Sequence, residues 1–224
     1  MKMKIRIKIC CIGSVEEAML AIKYGASAIG LVSVMPSGPG VINESLIAEI
    51  VEKVPPPIGT FLLTSKQNAD EIIKQQLRTK VNTLQLVDRV PFNELVQLRK
   101  KLNGIKIVQV IHVINKNSID EAIDVSGYVD ALLLDSGNPN LKVKELGGTG
   151  RIHNWDFSRL IVEKARIPVF LAGGLNPQNV LNAIKLVQPY GVDICSGVRT
   201  NNNLDEGKLK AFFQQVSHNN FAAG

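Results

Sequence analysis

A chain of 224 residues, 45% hydrophobic and 21% charged, has the balance of an ordinary soluble globular protein and can bury one substantial core. Its formal charge of +6 rests on lysines and arginines scattered at helical spacing with no run of five, which favours solvated helix faces over a nucleic-acid surface. Three cysteines, two of them adjacent, are too few and odd in number for a disulfide framework and point to a reducing, cytoplasmic setting. No stretch is long and apolar enough to cross a bilayer. The basic start, Met1–Arg6, precedes an apolar run (Ile7–Ile12) that is too short for a secretory leader and is broken by Lys8.

Eight short apolar runs alternate with eight amphipathic ones. The first strand reads over Ile5–Ile12 and carries Lys8, Cys10 and Cys11; Ser14 with Glu17 then forms a capping box. The second, Ala28–Val34, leads through Ser37-Gly-Pro-Gly40 to a helix over Asn43–Lys53. Pro55-Pro56-Pro57 separates that helix from the third strand, Ile58–Leu63, and is not a domain linker. Asn68 with Glu71, a variant of the capping box, opens the next helix. Thr83–Leu86 precedes a helix over Pro91–Leu102, and Ile105–Val113 precedes a box at Ser118 and Glu121. The sixth strand, Ala131–Leu134, ends at Asp135, and its helix, Asp156–Lys164, follows only after a long connection. The seventh, Val169–Leu171, runs into Ala172-Gly-Gly174, with Asn176 as helix cap and Pro177 at the first position of a helix ending at Val187. Val192–Cys195 is the eighth, followed by Ser196-Gly197 and a last helix over Leu204–Val216.

Most strand patterns are continuous apolar runs, as expected of parallel strands buried on both faces. Strict strand-then-helix order, eight times with short connections, predicts an α/β fold of the (β/α)8 TIM-barrel type, one domain over residues 1–224. An open doubly wound sheet is the alternative.

On a barrel, residues at the C-terminal ends of strands face the substrate. Gly173-Gly174 and Ser196-Gly197 put small residues after strands seven and eight, where backbone amides can approach an anion closely. The stretch from Asp135 to Trp155 is either a functional lid over the same face or a disordered insertion. Cys10 shares a strand face with Lys8, whose charge favours a thiolate; the competing reading is an inert packing cysteine. Asp135, after three leucines, is either a proton donor with a pKa raised by burial or a residue that staples its loop. A cysteine and an aspartate across the mouth, beside an anion site, fit proton shuffling on a phosphorylated small molecule. His112, His153 and His218 are too dispersed for a metal site, and Gly147-Gly-Thr-Gly150 is too short for a nucleotide loop. The pattern leaves the oligomeric state open.

Several pieces in family order together resemble phosphoribosylanthranilate isomerase of tryptophan biosynthesis. They are Lys8-Ile-Cys10, Leu84-Gln85-Leu86, Leu133-Leu134-Asp135-Ser136, Gly147-Gly-Thr-Gly150 with Trp155-Asp156, Leu171-Ala-Gly-Gly-Leu-Asn-Pro177 with Asn179-Val180, and Gly191-Val-Asp193 with Ser196-Gly-Val198. The resemblance implies a (β/α)8 barrel and a cofactor-free, metal-free Amadori rearrangement, with Cys10 as general base and Asp135 as general acid. It implies phosphate held by backbone amides around Gly150, Gly173, Gly174, Ser196 and Gly197, and places Lys8 and Gln85 among the substrate-binding residues. The chain departs from the family at four places. Cys11 replaces a glycine, Ser37–Gly40 replaces Ser-Pro-Arg with its carboxylate-binding arginine, Val87-Asp88 replaces His-Gly, and Arg199 replaces a glutamate. Arg89 and Arg199 are the candidates to compensate for the missing arginine. Two readings stand: an isomerase of phosphoribosylanthranilate or a related phosphorylated aminosugar, and a barrel that binds a phosphorylated metabolite without turnover.

Overall fold

The computed structural model describes residues 4–218, so Met1–Met3 of the basic start lies outside the described residues. Eight parallel strands close into a barrel: β1 (Arg6–Ile9), β2 (Ala28–Val32), β3 (Gly59–Thr64), β4 (Thr83–Leu86), β5 (Lys106–His112), β6 (Ala131–Asp135), β7 (Val169–Leu171) and β8 (Gly191–Ile194). The ring is closed by β1 on β8, with Ile9 opposite Ile194. The helices α1 (Val15–Tyr24), α2 (Glu44–Lys53), α3 (Ala69–Thr79), α4 (Phe92–Lys101), α5 (Asn117–Ser126), α6 (Trp155–Lys164), α7 (Val180–Val187) and α8 (Glu206–His218) alternate with them. The open-sheet alternative is thereby excluded.

The continuous apolar runs divide by alternation along each strand. Ile9, Leu62, Leu84 and Leu132 join the helices in a large outer core, whereas Phe61, Leu63, Val108, Leu133 and Phe170 fill the barrel interior. A barrel thus has two cores, and a strand contributes to both, which is why no polar face interrupts its sequence.

Three of the expected helix starts hold. Ser14 Oγ accepts from Glu17 N at 3.2 Å, Asn43 Oδ1 from Leu46 N at 2.8 Å, and Asn68 Oδ1 from Glu71 N at 3.2 Å. Two do not. Ser118 lies inside the first turn of α5, and its hydroxyl donates to His112 O and accepts from Ile114 N, tying the helix to the end of β5. Asn176 accepts from Gln178 N and Asn179 N, but that turn stops short and α7 begins at Val180. After β8 the chain makes a short 3-10 turn (Ser196–Val198). A two-stranded hairpin of β9 (Arg199–Thr200) and β10 (Asn203–Leu204) follows, turned by Asn201 and Asn202 with φ of 50° and 65°. No helix among the described residues is long and apolar enough to cross a membrane.

Candidate active site

A depression holding about 640 Å³ of empty space, its open mouth included, lies at the C-terminal end of the barrel. Cys10, Gln85, Asp135, Gly150, Gly173, Gly174 and Ser196 all line it, together with Asp193 and the thiols of Cys11 and Cys195. Two expected site residues do not. Lys8 is fully buried beneath the floor, and Gly197 packs behind the rim, where a Cβ would collide with the carbonyl of Leu175.

The floor is charged. Lys8 Nζ stands 2.9 Å from Asp193 Oδ1 and 5.3 Å from the centre of the Phe61 ring. Burial alone would push the Lys8 ammonium down, but Asp193 and the neighbouring thiols outweigh it and raise its pKa, so it stays a cation. Cys10 is pulled below the usual thiol value by hydrogen bonding from Cys11 and by the Lys8 charge, against its burial. Asp135 is pushed up by burial, opposed by the Ser136 N–H that it accepts at 2.8 Å and by nearby His112, its register partner on β5. The pocket therefore shifts the two groups in opposite senses, the thiol down and the carboxyl up.

Left-handed glycines shape the rim beside them. Gly150, Gly173 and Gly174 have φ of 69°, 79° and 64°. A Cβ on Gly174 would stand 2.7 Å from Arg151 C and 2.9 Å from Gly150 O, so the loops after β6 and β7 meet backbone to backbone. Among the described residues, the amides of Gly150, Gly173, Gly174 and Ser196 donate to no protein acceptor. Such a set of free donors on a pocket rim suits an anion.

The long connection after β6 is an ordered cover, and the disordered-insertion alternative falls. Ser37 Oγ donates to Lys144 O at 2.5 Å, Lys144 Nζ reaches Asp88 Oδ2 at 2.5 Å, and Gly148 packs on the Pro39 ring. Gly147 lies so close to Asp135 that a Cβ would be 2.8 Å from Oδ2. His153, in the same connection, hydrogen-bonds Ser158 at 2.7 Å, and burial lowers its pKa to about 4. Unfolded, it binds a proton below pH 6.5, so folding stability is expected to fall as pH drops from 6.5 toward 4, by about 3 kcal/mol. Denaturant titrations over that range check it: His153→Gln should flatten the loss.

Neither arginine expected to compensate at the mouth is available. Arg199 is clamped by Glu17 at 2.9 Å through both terminal nitrogens, and it donates to the carbonyls of Cys10, Cys11 and Asn202. It braces the end of β1. Arg89 is exposed and lines a separate depression with Phe92 and Glu121. Among the described residues no lysine or arginine lines the catalytic-face pocket.

Sequence reasoning read Glu17 only as a capping acid and His112 only as an isolated histidine, and it missed the face of Cys11. The partners that give Glu17 and His112 their place here, Arg199 and Asp135, are far along the chain. Alternation along a strand would turn Cys11 away from the pocket, but its φ of 62° breaks the alternation and returns its side chain to the interior.

The family model for N-(5′-phosphoribosyl)anthranilate isomerase matches residues 7–215. A relative from Methanosarcina mazei, named N-(5′-phosphoribosyl)anthranilate isomerase 2, is 38% identical over 96% of both chains. Among solved structures, the phosphoribosylanthranilate isomerase of Thermotoga maritima superposes with a TM-score of 0.83 at 26% identity, covering 96% of this chain and 99% of that one. The Pyrococcus furiosus enzyme gives 0.78 at 27%, with the same coverage. Sequence match across the barrel, shared architecture and a pocket built where such a barrel works converge, and the chain belongs to the N-(5′-phosphoribosyl)anthranilate isomerase family.

Proposed function

We propose that this protein isomerises N-(5′-phosphoribosyl)anthranilate to its 1-deoxyribulose 5-phosphate ketone, an Amadori rearrangement in tryptophan biosynthesis, with Cys10 as general base and Asp135 as general acid. The protonated Asp135 carboxyl gives its proton to the ribose ring oxygen and the ring opens to an iminium. The Cys10 thiolate removes the C2 proton, and the resulting enolamine tautomerises to the ketone. These steps need only proton transfers. The observation that carries the reading is the opposed tuning of the two groups in one pocket: Cys10 lowered by Cys11 and Lys8, Asp135 raised by burial. Turnover of N-(5′-phosphoribosyl)anthranilate by the purified chain, followed chromatographically, tests it; absence of product at high enzyme concentration would overturn it. The free thiols of Cys10, Cys11 and Cys195 fit a reducing compartment, and we read the protein as cytoplasmic.

The substrate phosphate is assigned to the free amides of Gly150, Gly173, Gly174 and Ser196, with Gly197 holding the loop behind them. The buried Gln85 Oε1 has no protein partner, which supports a role for it in accepting from a ribose hydroxyl. Gly174→Val is expected to raise KM, because a β-branched residue at φ 64° would push Gly150 and Arg151 away and tilt the amides. Losing one charge-assisted hydrogen bond corresponds to ~10–100-fold. An unchanged KM would remove phosphate from this rim.

The anthranilate carboxylate meets no cation on the pocket wall. Turnover of this substrate is therefore expected to be weak beside family members that carry the arginine. Of the two positions where that arginine could be restored, Gly40 is excluded: at φ 76° a Cβ would stand 2.5 Å from Cys11 Cβ. Pro39 lines the pocket, and Pro39→Arg is expected to lower KM by ~10-fold or more, the value of one charged hydrogen bond. An ordinary KM in the parent chain, unchanged by Pro39→Arg and Arg89→Ala, would refute the argument from charge.

A further inference from the structure

Three thiols meet where β1 and β8 end. Ile9 lies opposite Ile194, and Cys10 N donates to Ile194 O at 2.8 Å, so Cys10 and Cys195 leave the sheet side by side. The proposed reaction employs Cys10 and gives Cys195 no role. Cys11 sits next to them in a left-handed conformation, at φ 62°, which disfavours any residue with a Cβ by roughly 1–2 kcal/mol. That conformation brings Cys11 Sγ to 2.6 Å from Cys195 Sγ, so only about half an ångström separates the pair from a disulfide bond length. Both line the pocket; Cys195 is partly exposed, where a small reagent can reach it, and Cys11 is buried.

We propose that Cys11 and Cys195 form an oxidation site on the pocket wall that closes reversibly to a disulfide. The oxidant class is a peroxide. The Cys195 sulfur attacks one peroxide oxygen, the O–O bond breaks, and a sulfenic acid and one water result. The Cys11 sulfur then attacks the sulfenic sulfur, and its proton leaves with the hydroxyl as a second water. Two thiols and one peroxide thus become one disulfide and two waters, and a dithiol reverses the change. In a reducing compartment such a bond is transient, as redox-sensing disulfides are. The bond would tie the residue next to Cys10 to the residue next to Ser196, both on the pocket wall, so turnover is expected to fall in the linked form. Bond formation does not depend on the reaction assigned above, so the test reads thiols as well as turnover.

The full chain is treated with a small excess of hydrogen peroxide, alkylated with iodoacetamide, digested and mapped by mass spectrometry. The expected product is lighter by two hydrogens, with the Cys195 peptide linked to the peptide that holds Cys10 and Cys11. The link should persist in Cys10→Ser and vanish in both Cys11→Ser and Cys195→Ser. Turnover of the linked form should fall, and dithiothreitol should remove the link and restore it. A link that survives Cys11→Ser but is lost in Cys10→Ser would overturn the proposal. So would oxygen added to Cys10 without any link, or a peroxide-treated chain in which no link forms. Should the reduced chain lack turnover altogether, the assigned reaction fails, while the peptide map still decides the oxidation site.

Discussion

Asp135→Asn and Cys10→Ser are each expected to lower kcat by at least ~10²-fold, the usual size of a general acid or base contribution, with the barrel intact. Both replacements keep shape. An amide oxygen at position 135 can still accept the Ser136 N–H, and a serine hydroxyl occupies nearly the space of the thiol. What is lost is the proton at 135, or a conjugate base accessible at neutral pH at 10. Rate against pH adds a second reading. A thiolate and a protonated carboxyl must coexist, so kcat/KM should be bell-shaped, with its two limbs belonging to the pair. Asp135→Asn should abolish one limb. Parental kcat in either folded variant, verified by circular dichroism, would show that the roles are misassigned.

Beneath these two groups, the Lys8–Asp193 pair is expected to dominate stability. Lys8 has no exposure and Asp193 very little, and their 2.9 Å contact has the geometry of an ion pair with no directed hydrogen bond. Removing one partner leaves a charge that water cannot reach. Lys8→Met is therefore expected to cost about 3–5 kcal/mol, a Tm lowered by roughly 6–20 °C for a chain of this length. Replacing both residues by apolar ones of similar volume should recover most of that loss, because the pair is balanced against its own desolvation. Thermal unfolding of the two single variants and the double variant measures the coupling. If Lys8→Met melts with the parent, the ammonium is not charged in the folded protein. The double variant should still lose turnover, since the Lys8 charge also helps lower the Cys10 pKa.

The sequence by itself determined the architecture. Eight apolar runs alternating with capped amphipathic helices admit few closed arrangements, and the strands lie within a few residues of where periodicity puts them. The errors fall at helix starts. Ser118 and Asn176 have the right chemistry for caps, but the hydroxyl of Ser118 is drawn to His112 O and Asn176 is used in a preceding turn. That Cys10, Asp135 and the paired glycines line one pocket was legible because a barrel places strand ends on one face.

Whatever depends on contacts between distant residues was decided by tertiary structure alone. Arg199 reads as a free cation near the mouth until Glu17, 182 residues away, claims its guanidinium. Gly40 reads as open to an arginine until Cys11 is found against it. The face of Cys11 itself turns on one backbone angle, a φ of 62°, which alternation cannot foresee and which only the closure of β1 on β8 fixes beside Cys195. Periodicity reports which residues are buried. Charge pairing, close backbone approach and thiol contact depend on what else arrives at the same place, and that is settled only when the barrel closes.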